Sequence, residues 1–125
     1  MEQELLLLKE QGVIDEILAN VLMPSSGEID FVLRKGSRFA LVEAKSGKGG
    51  LAGVYSLNNW ASDKYLGIYT AKLLAITLNY PKENSEVAAA HDVLVLELPG
   101  WSAESRSLEN HRDTIRAKIR ELFKL

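Results

Sequence analysis

The 125-residue sequence contains no cysteine, only two histidines, three prolines and two tryptophans. Without cysteine there is no disulfide framework, no thiolate zinc site and no cysteine nucleophile. His91 and His111 are distant in sequence, and neither has a second metal-ligand partner at helical spacing, so both read as structural or surface residues. Long apolar runs are missing too. The longest near the start, Leu5 to Leu8, follows Glu2 and Glu4, where a signal peptide would carry basic residues and a longer apolar stretch. A cytoplasmic protein that engages no membrane is the expectation. At 46% hydrophobic and 26% charged residues the composition is that of a folded domain, and the length suits a single domain over 1–125.

The net charge of −2 conceals an uneven distribution. Residues 1–33 carry seven acids against Lys9. Residues 34–48 reverse the sign, with Arg34, Lys35, Arg38, Lys45 and Lys48 facing only Glu43, and the remainder holds nine charges of each sign. A basic segment of this kind points to nucleic acid as a partner through phosphate contacts, although basic residues solvating a hairpin turn would look the same.

Apolar residues at intervals of three and four predict a helix from Glu2 to about Asn20, with Gly12 as an interruption. Pro24-Ser25-Ser26-Gly27 is a turn signal. Glu28 to Arg34 alternates as a strand, with Ile29, Phe31 and Leu33 on one face, and Phe39 to Lys45 repeats the pattern. Between them, Lys35-Gly36-Ser37-Arg38 fits a two-residue hairpin of type II′. A helix from Leu51 to about Leu66, an apolar strand from Lys72 to Asn79, a short helix from Glu83 to His91 and a buried strand from Val93 to Leu98 follow, the last three implying a parallel crossover. Ser107 caps a final amphipathic helix running to Lys124. The class is α/β: a mixed central sheet flanked by helices.

Pairing the two strands across the hairpin places Asp30 opposite Glu43, where like charges repel. Lys45 shares a strand face with Glu43, whereas Ala44 points the other way. Lys45 neutralises part of the charge. A divalent cation would do so more fully, since two carboxylates and a backbone carbonyl on adjacent strands form half of an octahedral oxygen shell and leave room for water and a phosphate. The plainer alternative is an exposed sheet face with a surface ion pair of little energetic weight.

Gly27-Glu28-Ile29-Asp30-Phe31-Val32, a hairpin, and Leu41-Val42-Glu43-Ala44-Lys45-Ser46 together resemble the metal-binding core of the PD-(D/E)XK nuclease superfamily. The resemblance implies a restriction-endonuclease-like core in which Asp30, Glu43 and the carbonyl of Ala44 hold Mg²⁺ or Mn²⁺. It also implies that Lys45 positions or activates the attacking water. An acid on the preceding helix often completes such sites, and Gly12-Val13-Ile14-Asp15-Glu16 resembles that motif, with Glu16 the expected residue and Asp15 the reserve. Ile29 stands where the family has proline. Tyr55-Ser56-Leu57, Lys64-Tyr65-Leu66-Gly67 and the strand near Leu74 look most like the nuclease half of CRISPR-associated effectors activated by cyclic oligonucleotides, without space for their sensor domain.

The expected activity is metal-dependent phosphodiester hydrolysis, endonucleolytic and on DNA ahead of RNA, with Arg34, Lys35, Arg38 and Lys48 gripping phosphates. Cutting both strands of a duplex would call for a homodimer. The alternative is a catalytically silent nucleic-acid-binding or assembly module with the same fold. Lys45-Ser46-Gly47-Lys48-Gly49 is no Walker loop: Gly49 replaces the Ser or Thr that would hold Mg²⁺, and Val42 stands where the first glycine belongs. Trp60 reads as core.

Overall fold

The computed structural model describes residues 1–23, 27–45, 50–62, 69–77, 79–99 and 111–125. Lys48, the turn residues 24–26, the stretch from Lys64 to Gly67, Trp101, Ser107 and Leu108 lie outside them. In chain order the elements are α1 (Glu2–Glu10), β1 (Glu16–Met23), β2 (Gly27–Lys35), β3 (Arg38–Lys45), α2 (Ala52–Trp60), β4 (Ala71–Ile76), α3 (Lys82–Ala90), β5 (Val93–Glu97) and α4 (Arg112–Phe123).

One mixed sheet of order β1-β2-β3-β4-β5 runs through the centre. Its first three strands are antiparallel, and β3, β4 and β5 are parallel, joined by crossovers through α2 and α3. The hairpin register is the expected one, from Lys35↔Arg38 to Phe31↔Val42, and Gly36 takes φ 62 at the first turn position. Parallel strands covered on both faces read as near-continuous apolar runs, and β4 does so after Lys72: Leu73, Leu74, Ala75 and Ile76 are buried.

The core is split by the sheet. Helices α1 and α4 bring Leu5, Leu8, Ile115, Ile119 and Phe123 onto Phe31, Leu33, Ala40, Val42, Leu73 and Leu96. Helices α2 and α3 bring Val54, Leu57, Trp60 and Ala88 onto Ile29, Leu41, Leu74, Ile76 and Val93. The apolar stripe of α4 is therefore consumed by its own sheet. Two cations serve helix ends: Arg38 donates to the Phe123 carbonyl at the C-terminus of α4, and Lys72, buried beneath α3, donates to the His91 carbonyl and to Asn58 Oδ1. Both positions suit a positive charge at the negative end of a helix.

Helix α2 ends at Trp60, short of the expected Leu66, and β4 at Ile76, short of Asn79; two further expectations fail outright. The N-terminal helix stops at Glu10, and residues 16–23 form a strand. Gly12, with φ 78, ends the helix in a Schellman motif: its amide donates to Lys9 and that of Val13 to Leu8. Beyond it, Ile17, Ala19, Val21 and Met23 alternate with exposed residues. Apolar positions 13, 14, 17 and 21 satisfy a helical period while strand pairing with β2 decides the outcome. Second, Ile29 does not share a core with Phe31 and Leu33 but packs on the α2 side of the sheet, so the alternation of β2 breaks at Asp30.

Candidate active site

The break at Asp30 is built by both neighbouring ladders. Between β1 and β2 the pairing runs from Ala19↔Phe31 to Val21↔Ile29, passing over Asn20 and Asp30. Between β2 and β3 it ends at Phe31↔Val42, so β2 separates from β3 just where β3 continues beside β4. Asp30 and Glu43 bridge that gap. The Asp30 amide donates to Glu43 Oε1 at 3.2 Å, and Asp30 Oδ2 accepts the Ala44 amide at 2.8 Å. Each carboxylate thereby takes the place of a ladder partner that the separating strands no longer supply.

Glu43 is only 4% exposed, and Lys45 Nζ lies 3.3 Å from its Oε2. Burial, and then the neighbouring Asp30 carboxylate, raise the Glu43 carboxyl above its ordinary range, while the Asp30 amide and the Lys45 charge lower it. Two carboxylates and one half-exposed lysine leave a net negative pair at the mouth of the sheet, a donor set suited to a hard divalent cation. Asp30, Glu43 and the Ala44 carbonyl fit Mg²⁺ or Mn²⁺ by their chemistry. Among the described residues, no group of three or more His, Asp or Glu is gathered closely enough to hold a metal.

The expected third acid is not brought in. Glu16 lies on β1 opposite Arg34, exposed, and pairs with Lys9 at 3.6 Å and Arg34 at 3.8 Å. That is four residues along the strand from Asn20, about 13 Å at strand rise. The reserve residue Asp15 also serves the hairpin. It accepts the Gly36 amide at 2.7 Å and pairs with Lys35 and Arg34, and its carboxyl is held low chiefly by that amide. Both acids left the site with the helix that was to carry them.

The basic residues separate as well. Arg34 binds Asp15, Glu16 and the Gly36 carbonyl, Lys35 binds Asp15 and the Gly12 carbonyl, and Arg38 binds α4. All three sit at the hairpin end of the sheet. Arg38 is seven residues from Lys45 along one strand, about 23 Å.

Three residues that sequence reasoning missed frame the site. Gly53, in the first turn of α2, is so close to the sheet that a Cβ there would lie 2.8 Å from Leu74 Cδ1 and 3.7 Å from Lys45 Cγ. The buried Tyr80 donates its hydroxyl to the Gly50 carbonyl at 2.6 Å, holding the chain just ahead of α2, while its amide donates to Glu97 Oε2 at 3.1 Å. Asn20 has φ 55 in the middle of β1. Glycine inside a helix and asparagine inside a strand are the signals that could have found two of them.

No family model and no curated protein sequence matches the chain. Solved structures do match it in fold. Protein VC1899 from Vibrio cholerae superposes with a TM-score of 0.72 at 11% identity, over 98% of this chain and 32% of that one. Can2 from Sulfobacillus thermosulfidooxidans, solved in complex with cyclic tetra-adenylate, gives 0.66 at 12% identity over 96% and 33%. EndoMS, solved in complex with double-stranded DNA, gives 0.59 at 15% identity over 81% and 45%. The chain shares its fold with these three structures. The chain spans about a third of the length of VC1899 and Can2 and under half of EndoMS. Among the described residues, no helix is long and apolar enough to cross a membrane.

Proposed function

We propose that the protein is a metal-dependent nuclease of the PD-(D/E)XK type that hydrolyses phosphodiester bonds within DNA. The observation that carries this reading is the Asp30–Glu43 pair, held across a gap in the sheet with Lys45 at 3.3 Å from the buried carboxylate. Fold likeness to proteins solved with cyclic tetra-adenylate and with double-stranded DNA supports nucleic acid as the partner.

In this reading Asp30, Glu43 and the Ala44 carbonyl would hold Mg²⁺ or Mn²⁺, which would supply Lewis acidity for phosphodiester hydrolysis. Lys45, on the same strand face as Glu43, orients the attacking water and stabilises the charge that develops on phosphate oxygens. Gly53 lets α2 lie against the stem of Lys45. Lys48, three residues beyond Lys45, is the foremost phosphate contact, ahead of Arg34, Lys35 and Arg38, whose charges are engaged locally. A duplex-cutting form would be a homodimer that pairs two such sites. The apolar face of α4 is already covered, so the contact would lie elsewhere.

The test is a panel of labelled single-stranded, duplex and branched DNA and RNA, incubated with the purified protein in Mg²⁺, Mn²⁺ or chelator. The expected result is internal cleavage of DNA that stops with chelator and with Asp30→Asn. Binding without cleavage of any member would favour the silent-module alternative.

A further inference from the structure

We propose that Asn20 is the positioning residue for Asp30; the inference rests on reading Asp30 and Glu43 as the centre of the site. Asn20 stands opposite Asp30 in the β1–β2 register, which is the same on either side of it, so no residue is inserted. The two strands exchange faces instead. Ile17 and Ala19 pack on the α1 and α4 side, Val21 and Met23 on the α2 and α3 side. Their partner strand does the same at the same level, with Leu33 and Phe31 on the first side and Ile29 on the second. In an ordinary strand, residues two apart share a face.

This exchange is what brings the Asp30 carboxylate to Ala44. Strand side chains stand roughly perpendicular to the sheet, whereas a backbone amide lies within its plane. A carboxylate on a regularly paired β2 would project beside Glu43 and away from the Ala44 amide. With the ladder interrupted, Asp30 Oδ2 reaches that amide at 2.8 Å and the Asp30 amide is free to meet Glu43. The interruption needs a residue on β1 that accepts the left-handed region, and Asn20 has φ 55. Asparagine tolerates it far better than the β-branched residues a strand prefers. Asn20 is exposed, so burial does not explain its presence in an otherwise apolar alternation.

The test is amide hydrogen exchange on the metal-free protein and its Asn20→Gly and Asn20→Val variants, together with steady-state cleavage. Glycine keeps the left-handed backbone, so Asn20→Gly should protect the Ala44 amide as the parent does and retain kcat. Valine opposes it, so Asn20→Val should lose protection at Ala44 by at least ~10-fold while the ladder amides of Leu41 and Val42 keep theirs. Its kcat should fall with little change in KM. Equal protection at Ala44 in the valine variant, or uniform loss across Leu41, Val42 and Ala44, would overturn the proposal. If Asn20→Val fails to fold, Asn20→Ala is read by the same comparison. Exchange needs neither metal nor substrate, so a parent that cleaves nothing would refute the nuclease reading and still leave Asn20 decided by Ala44.

Discussion

The Asp30 amide donates to the carboxylate of Glu43 at 3.2 Å while the Asp30 carboxylate binds the amide that follows Glu43, so the two acids are locked together through their backbones. Their mutual repulsion cannot be relaxed by a rotamer change without leaving a polar group unpartnered. That makes the pair a fixed point of negative charge at the end of β3, with Glu43 almost fully buried.

Stability should depend on pH through Glu43. Its folded carboxyl lies above the ordinary value of 4.5, chiefly through burial and then through Asp30, so the folded protein holds this proton more tightly than the unfolded chain. The resulting stability is full below about 4.5 and is lost as pH rises through the folded value. Thermal melts in chelator should show the melting temperature falling over that range. Glu43→Gln should remove this component, and Asp30→Asn should reduce it. At neutral pH, Mn²⁺ should raise the melting temperature of the parent and leave Glu43→Gln unmoved.

Lys45→Ala separates an enzyme from a binder. It touches neither carboxylate's backbone partner, so fold, metal binding and most nucleic-acid affinity should survive, while cleavage falls by at least ~100-fold. Single-turnover cleavage beside a binding titration reads both quantities. Unchanged cleavage would reduce Lys45 to a surface ion-pair partner of Glu43.

The basic residues should divide by position. Lys48→Ala should weaken binding to all sequences and lower the slope of affinity against salt by about one contact. Arg38→Ala should act on stability instead, costing about 1–2 kcal/mol in denaturant melts because the C-terminus of α4 loses a charged donor. Fluorescence anisotropy across a salt series, with denaturation curves for each variant, would expose a reversed order.

Gly53→Ala sets helix propensity against packing. Alanine would favour the helix by up to about 1 kcal/mol. Its Cβ, however, would lie 2.8 Å from Leu74 Cδ1, and Leu74 is 1% exposed, so a core side chain would have to shift. Overpacking of this kind costs about 1–3 kcal/mol, so net destabilisation is expected. The same displacement of α2 should lower cleavage, because the stem of Lys45 is its next neighbour.

The β2–β3 hairpin, its register, the Asp30–Glu43–Lys45 grouping and the parallel crossover after β4 were all legible in the sequence, because each follows from a local rule. Gly36 dictates the turn, the turn dictates the register, and a period of two decides which side chains share a face on β3 and on β2 up to Phe31. The helix from Glu2 was legible as far as Glu10, but the stretch from Gln11 to Met23 was not. Val13, Ile14, Ile17 and Val21 satisfy a helical period, and only pairing with the open edge of β2, the next strand in the chain, makes residues 16–23 a strand. That pairing carried Asp15 and Glu16 to the hairpin, where they hold Arg34, Lys35 and the Gly36 amide. It also placed Asn20 opposite Asp30. The sequence alone determined which chemistry the two strands could offer. Tertiary pairing decided which further residues stand beside it, since the company a side chain keeps across strands is set by the strand register rather than by the periodicity of its own segment.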